Sequence, residues 1–85
     1  MEVIKTEDFL KQLSRLPIKI KNLLGKQEAI FLKNQLDPRL HLKQLVTLEG
    51  VYSFRITIRY RCLLYFQSKE VAVFFSIGHR KDIYN

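Results

Sequence analysis

Tyr52-Ser53-Phe54-Arg55-Ile56-Thr57-Ile58 alternates apolar and polar residues without a break. Successive side chains of a strand point to opposite faces, so period two marks a strand with one buried face. Downstream, residues 61–67 and 71–77 carry apolar residues at adjacent positions, as in Cys62-Leu63-Leu64-Tyr65-Phe66 and Val71-Ala72-Val73-Phe74-Phe75. Such strands are expected to be covered on both faces. Arg59-Tyr60 and Ser68-Lys69-Glu70 supply the turns, Gly78 ends the third strand, and 79–85 reads as a short polar tail. The second half of the chain is therefore expected to be an antiparallel meander of 52–58, 61–67 and 71–77.

Upstream of Pro38 the apolar period changes from 2 to 3.6. Phe9, Leu10, Leu13 and Leu16 recur at helical spacing, which predicts a helix over 7–15. Thr6 is its N-cap, and Glu7 and Asp8 complement the helix dipole. Pro17 opens a second helix at its first position, and Ile18, Ile20, Leu23, Leu24, Ile30 and Phe31 carry it to about residue 35. Asp37-Pro38 stops it. Glu2-Val3-Ile4-Lys5 reads as a short strand, and Leu40 and Leu42 alternate with His41 and Lys43 before a Glu49-Gly50 turn. The fold class is α+β: one domain over 1–85, with an N-terminal helical hairpin packed on a small antiparallel sheet. The hairpin covers one sheet face, so a partner chain or a second copy is expected on the other.

Composition excludes much else. The chain has 85 residues, 47% hydrophobic and 27% charged, with 3 Gly and 2 Pro, which is no disordered or low-complexity chain. One cysteine excludes an internal disulfide, and one cysteine with two histidines is too few for a structural zinc site. No apolar run reaches the roughly 18–20 residues of a membrane span, and no basic-then-apolar signal opens the chain. A soluble cytoplasmic protein without metal or cofactor is expected. The net charge is +7, with seven basic and five acidic residues before Arg39 but eight and three from Arg39 onward. A polyanionic partner accounts for that excess; an inert, solubilising surface is the alternative.

No Gly-rich phosphate loop, HExxH or CxxC occurs, and Cys62 in its apolar strand reads as a small buried hydrophobe. What remains is a basic set. Arg55 lies on the polar side of its strand, Arg59 and Arg61 flank the turn, and His79, Arg80 and Lys81 leave the last strand, with Tyr84 beyond. In a meander these groups can converge at one end of the sheet. Metal-free RNA cleavage needs such groups: arginines for the phosphorane charge, an imidazole or phenol for proton transfer. Solvated strand arginines, Arg59 among them, are the plain alternative, and Tyr52 and Tyr65 are expected in the core. His41 reads as an exposed or satisfied strand residue rather than a catalyst.

The order of elements and several motifs resemble the RelE/ParE superfamily of toxins from type II toxin–antitoxin pairs. The resemblance spans nearly the whole chain. It rests on Leu42-Lys43-Gln44-Leu45, Gly50-Val51-Tyr52-Ser53-Phe54-Arg55-Ile56, Tyr60-Arg61, Leu64-Tyr65-Phe66 and Ile77-Gly78-His79-Arg80-Lys81-Asp82-Ile83-Tyr84. Members of the RelE type cleave messenger RNA on the translating ribosome. The resemblance then implies Arg61, His79, Arg80 and Tyr84 as catalytic residues and Lys43, Arg55, Arg59 and Lys81 as RNA-binding ones. It also implies an acidic antitoxin partner, assembly into a toxin–antitoxin hetero-oligomer, and the ribosome with its mRNA as target. Thr57 stands where the best-known RelE type has a second lysine, and the turn at 59–60 and the stretch from Arg80 to Tyr84 are shorter than there. These departures leave the acid–base pair open. They also keep a ParE-type reading, in which the same fold inhibits DNA gyrase without cleaving anything, and a non-toxic basic nucleic-acid-binding protein.

Overall fold

The hydroxyl of Thr6 accepts a hydrogen bond from the amide of Phe9 at 3.1 Å, and with it the first helix begins where the capping signal placed it. The computed structural model describes residues 1–83. In chain order the elements are β1 (Glu2–Lys5), α1 (Glu7–Ser14), α2 (Ile18–Lys33), a 3₁₀ turn (Pro38–Leu40), β2 (Lys43–Gln44), β3 (Val51–Arg55), β4 (Tyr60–Ser68), β5 (Val71–His79) and α3 (Arg80–Ile83). The five strands form one sheet in the order β1-β5-β4-β3-β2. The protein is α+β. The sheet is mixed, however: β1 precedes the helices and pairs parallel with β5, Glu2 opposite Val71 and Lys5 opposite Phe74.

In-register partners share a face, so the pairing sorts the side chains. Phe54, Cys62 and Ile77 form one row, and Tyr52, Leu64 and Phe74 the next. This face packs on Phe9 of α1 and on Ile20, Leu24 and Phe31 of α2. Phe31 is the hub, its ring 5.7 Å from Phe54, 6.3 Å from Phe66 and 5.6 Å from Phe74. Cys62 lies buried in this core, and burial pushes its thiol pKa well up. Polar side chains close the sheet's loose ends. Gln12 Oε1 accepts from the amide of Ile77, a residue beyond the reach of β1, and Gln27 Nε2 donates to the carbonyls of Arg55 and Arg39. Lys5 and Glu28 pair at 2.8 Å, joining β1 to α2.

Several expected boundaries are corrected. The first long strand ends at Arg55 rather than 58, because the Thr57 hydroxyl accepts from the amides of Arg59 and Tyr60 and folds 56–59 into the turn. α2 ends at Lys33, and Asp37 instead caps the following 3₁₀ turn, its carboxylate accepting from the Arg39 amide at 2.9 Å. Leu40 sits in that turn, fully buried, so only Lys43 and Gln44 remain of the expected strand at 40–45. The polar tail includes a helix, α3. Tyr65 is 42% exposed rather than in the core, in tilted contact with Phe75 at 5.8 Å. A register shift between Leu63 and Leu64 leaves Phe75 unpaired as a bulge, and its ring turns to the Tyr65 side.

Candidate functional site

The face opposite α1 and α2 is built from the alternate residues of the same strands. Its rows are Val51, Tyr65 and Val73, then Lys43, Ser53, Leu63 and Ser76, then Arg55, Arg61 and Gly78. The chain covers part of this face by itself. Ile83 of α3 lies over Gly78, where an added Cβ would come within 3.3 Å of its Cγ2. Ile83 and residues 43–48 also line a cavity of about 540 Å³. Leu63 and Val73 are buried, whereas Ile4 and Tyr65 remain exposed.

The row nearest α3 concentrates the charge. Arg55 and Arg61 are direct cross-strand partners, which puts their Cβ atoms about 4.5–5.5 Å apart. Like charges so placed repel, and an anion between them relieves the repulsion. Arg61 is only 5% exposed. Its Nε donates to Ser53 Oγ at 3.2 Å and its Nη2 to the carbonyl of His41 at 3.0 Å. His41 adopts a left-handed conformation, φ 49°, at the end of the 3₁₀ turn. A left-handed backbone is strained for a residue with a Cβ. Here its carbonyl holds the arginine. Arg55 Nε, by contrast, is buried with no hydrogen-bond partner among the described residues. One guanidinium is fixed in place and its neighbour keeps an unused donor.

The other candidate residues fall around this pair. Lys43 lies one row away on β2, opposite Ser53. Arg59, in the exposed turn, is tied to the start of α3, its carbonyl accepting from the Arg80 amide at 2.7 Å. Arg80 and Lys81 are exposed at the same end of the sheet. His79 is not beside Arg61: it pairs with Tyr60, so its imidazole belongs to the helix side, edge-on to the Tyr60 ring at 5.5 Å. Its Nδ1 accepts from the Lys81 amide at 3.2 Å. Tyr84 lies outside the described residues. Among the described residues there is no cluster of three or more metal-binding side chains, and no helix is long and apolar enough to cross a membrane. Sequence reasoning missed Ser53 and the His41 carbonyl. Ser53 was legible only as a polar-side residue, and a backbone carbonyl leaves no mark in the sequence.

The mixed five-stranded sheet with two helices on one face and a short basic helix at its end is the fold of RelE- and YafQ-type toxins. It superposes on a RelB–RelE antitoxin–toxin complex from Methanococcus jannaschii with a TM-score of 0.76 and 23% identity, covering 95% of this chain and 94% of that one. It superposes on YafQ from E. coli with a TM-score of 0.81 and 11% identity over 99% and 98% of the two chains. For a YoeB/ParE toxin from Agrobacterium tumefaciens the values are 0.78 and 12%, over 94% and 99%. No protein-family model and no curated protein matches the chain.

Proposed function

We propose that this protein is the toxin of a type II toxin–antitoxin pair and that it cuts messenger RNA on the ribosome. The observation that carries the reading is the facing of Arg55 and Arg61 across β3 and β4, one guanidinium fixed and one with an unused donor. Cleavage by the 2′-hydroxyl builds a second negative charge on the phosphorus-bound oxygens. Two planar donor forks at one spot stabilise that charge more in the transition state than in the ground state, which is what accelerates the step. Arg80, Arg59, Lys43 and Lys81 hold the flanking phosphates, and Tyr84 is the proton carrier, since the His79 imidazole lies on the other side of the sheet from the arginine pair. An acidic antitoxin covers the sheet face around Ile4 and Tyr65. The antitoxin-bound state of the RelB–RelE and DinJ–YafQ structures that share the fold supports that partner.

The test is cleavage of a defined mRNA on purified ribosomes. Arg55→Ala and Arg80→Ala are each expected to slow it on the order of 10²–10³-fold, the size of losing one oxyanion donor. Both variants cutting at the wild-type rate would place the site elsewhere. A ParE-type reading has one observation in its favour: His79 stands on the far side of the sheet from Arg61. If the wild type arrests growth, cuts no mRNA and traps gyrase on DNA, that reading replaces the first. Hydrogen exchange with and without the protein of the neighbouring gene tests the partner, with protection expected across β1, β4 and β5.

A further inference from the structure

Helix α2 breaks the rules that α1 obeys. α1 has a capping hydroxyl and two carboxylates in its first turn. α2 has no side-chain cap and no acidic residue in its first turn, and Lys19 and Lys21 stand there instead. Cations at the positive end of a helix dipole oppose folding. A local rule broken without a compensating contact marks a place where function sets the sequence.

The lysines are also aligned. Lys19, Lys26 and Lys33 recur every seven residues and are all exposed, and Asn22 and Ala29 fill the same stripe. A seven-residue repeat drifts by only about 20° per step, so the three ammonium groups form one ridge, about 21 Å long. At 100° per residue the ridge is turned by roughly 140° from the buried stripe of Ile20, Leu24 and Phe31. None of the three is in an ion pair among the described residues. The nearby acids are occupied: Glu28 holds Lys5, and Asp37 holds Arg39 with both carboxylate oxygens.

We infer that this ridge is a second polyanion-binding surface, separate from the arginine pair, and that it takes the phosphate backbone of a double-stranded nucleic acid. A protein partner would need large aromatic or aliphatic anchors at the centre of the contact, whereas among the described residues the only apolar side chains beside Lys26 and Lys33 there are Ala29 and the half-buried Ile30. A single strand would need stacking rings, and those are absent too. A rigid row of cations at fixed spacing suits a regular helical backbone, read by shape and charge. The arginine pair lies on the opposite sheet face, so the molecule can hold two nucleic-acid segments at once. This inference does not rest on cleavage.

Fluorescence anisotropy on a 20-base-pair RNA duplex and on the matching DNA duplex, over a range of salt, tests it. The variant is Lys19→Gln/Lys26→Gln/Lys33→Gln, since Gln keeps the helix propensity, and circular dichroism checks its fold. The slope of log K against log salt should fall in magnitude by about 2–3, near 0.9 per lost phosphate contact. A control that removes the same charge elsewhere, Lys11→Gln/Arg15→Gln/Lys69→Gln, should change it by less than about 1. Preference for one duplex names the source of the phosphates. An unchanged slope in the ridge variant, or an equal fall in the control, overturns the inference. Equal affinity for poly-glutamate also overturns it, because the ridge would then be a general cation patch.

Discussion

Arg61→Ala should destabilise the protein, whereas Arg55→Ala should not, although the two arginines face each other. Arg61 is buried and donates to Ser53 Oγ and to the His41 carbonyl. Hydrogen bonds from a charged donor contribute about 1.5–3 kcal/mol each, and truncation also strands both acceptors. Relief of repulsion from Arg55 returns about 0.2–1 kcal/mol. The net loss is about 2–6 kcal/mol, out of a total near 4–13 kcal/mol for a chain of this length. Arg55 Nε satisfies nothing among the described residues, so its removal should cost at most about 0.5 kcal/mol. Urea unfolding reads the difference. With m near 1–3 kcal/mol/M, Arg61→Ala should lower the midpoint by about 0.7 M or more at unchanged m, and Arg55→Ala should leave it within about 0.5 M. Equal midpoints for the two variants would refute the assignment of Arg61 as a structurally fixed guanidinium. The same arithmetic means that Arg61→Ala must be assayed for activity only where it is folded, while Arg55→Ala isolates the charge.

Phe31→Ala removes the ring that Phe54, Phe66 and Phe74 share, and the loss of about 3–5 kcal/mol should shift the thermal midpoint by 12 °C or more by calorimetry. Cys62 should resist alkylation at pH 8 in the native state and react only at the rate of unfolding, because burial raises its thiol pKa; prompt labelling of folded protein would contradict the burial. Asp37 is lowered to about 2 by its hydrogen bonds to Arg39, so its carboxylate favours the folded state above its unfolded pKa of 3.8. That contribution should be lost as pH falls from about 4 to 2, and a ¹³C titration of the Asp37 carboxyl should show a midpoint near 2.

Much of this fold was legible because local rules dominate where they agree. Thr6 with Glu7 and Asp8 fixed the start of α1, and the alternation through Tyr52–Arg55 fixed which side of β3 is core. The failures have physical causes. The parallel pairing of β1 with β5 joins residues some seventy positions apart, and no local period encodes that. Thr57 reads as a strand residue until its hydroxyl is seen to close a turn. Cys62 to Phe66 are apolar at every position, so composition could not say which alternate residues face the helices, and Tyr65, opposite Val51 and Val73, lies on the other face. At the site, the arginines were visible by type and position. The separation of His79 from Arg61 was not, since one residue of register moves a side chain to the other face.

The pairing of Glu2–Lys5 with Val71–Phe74 also sets a clock. β1 hydrogen-bonds to a strand made some seventy residues later, and Phe9 closes on Phe74, at a ring distance of 5.8 Å. At about 5–20 residues per second, translation holds the early strand without its partner for roughly 4–14 seconds. During that time neither helix has a finished sheet to rest on, and Arg61 has no β5 beside it. The two helices and the strands between them gain their common support only once β5 has been made, some seventy residues after β1.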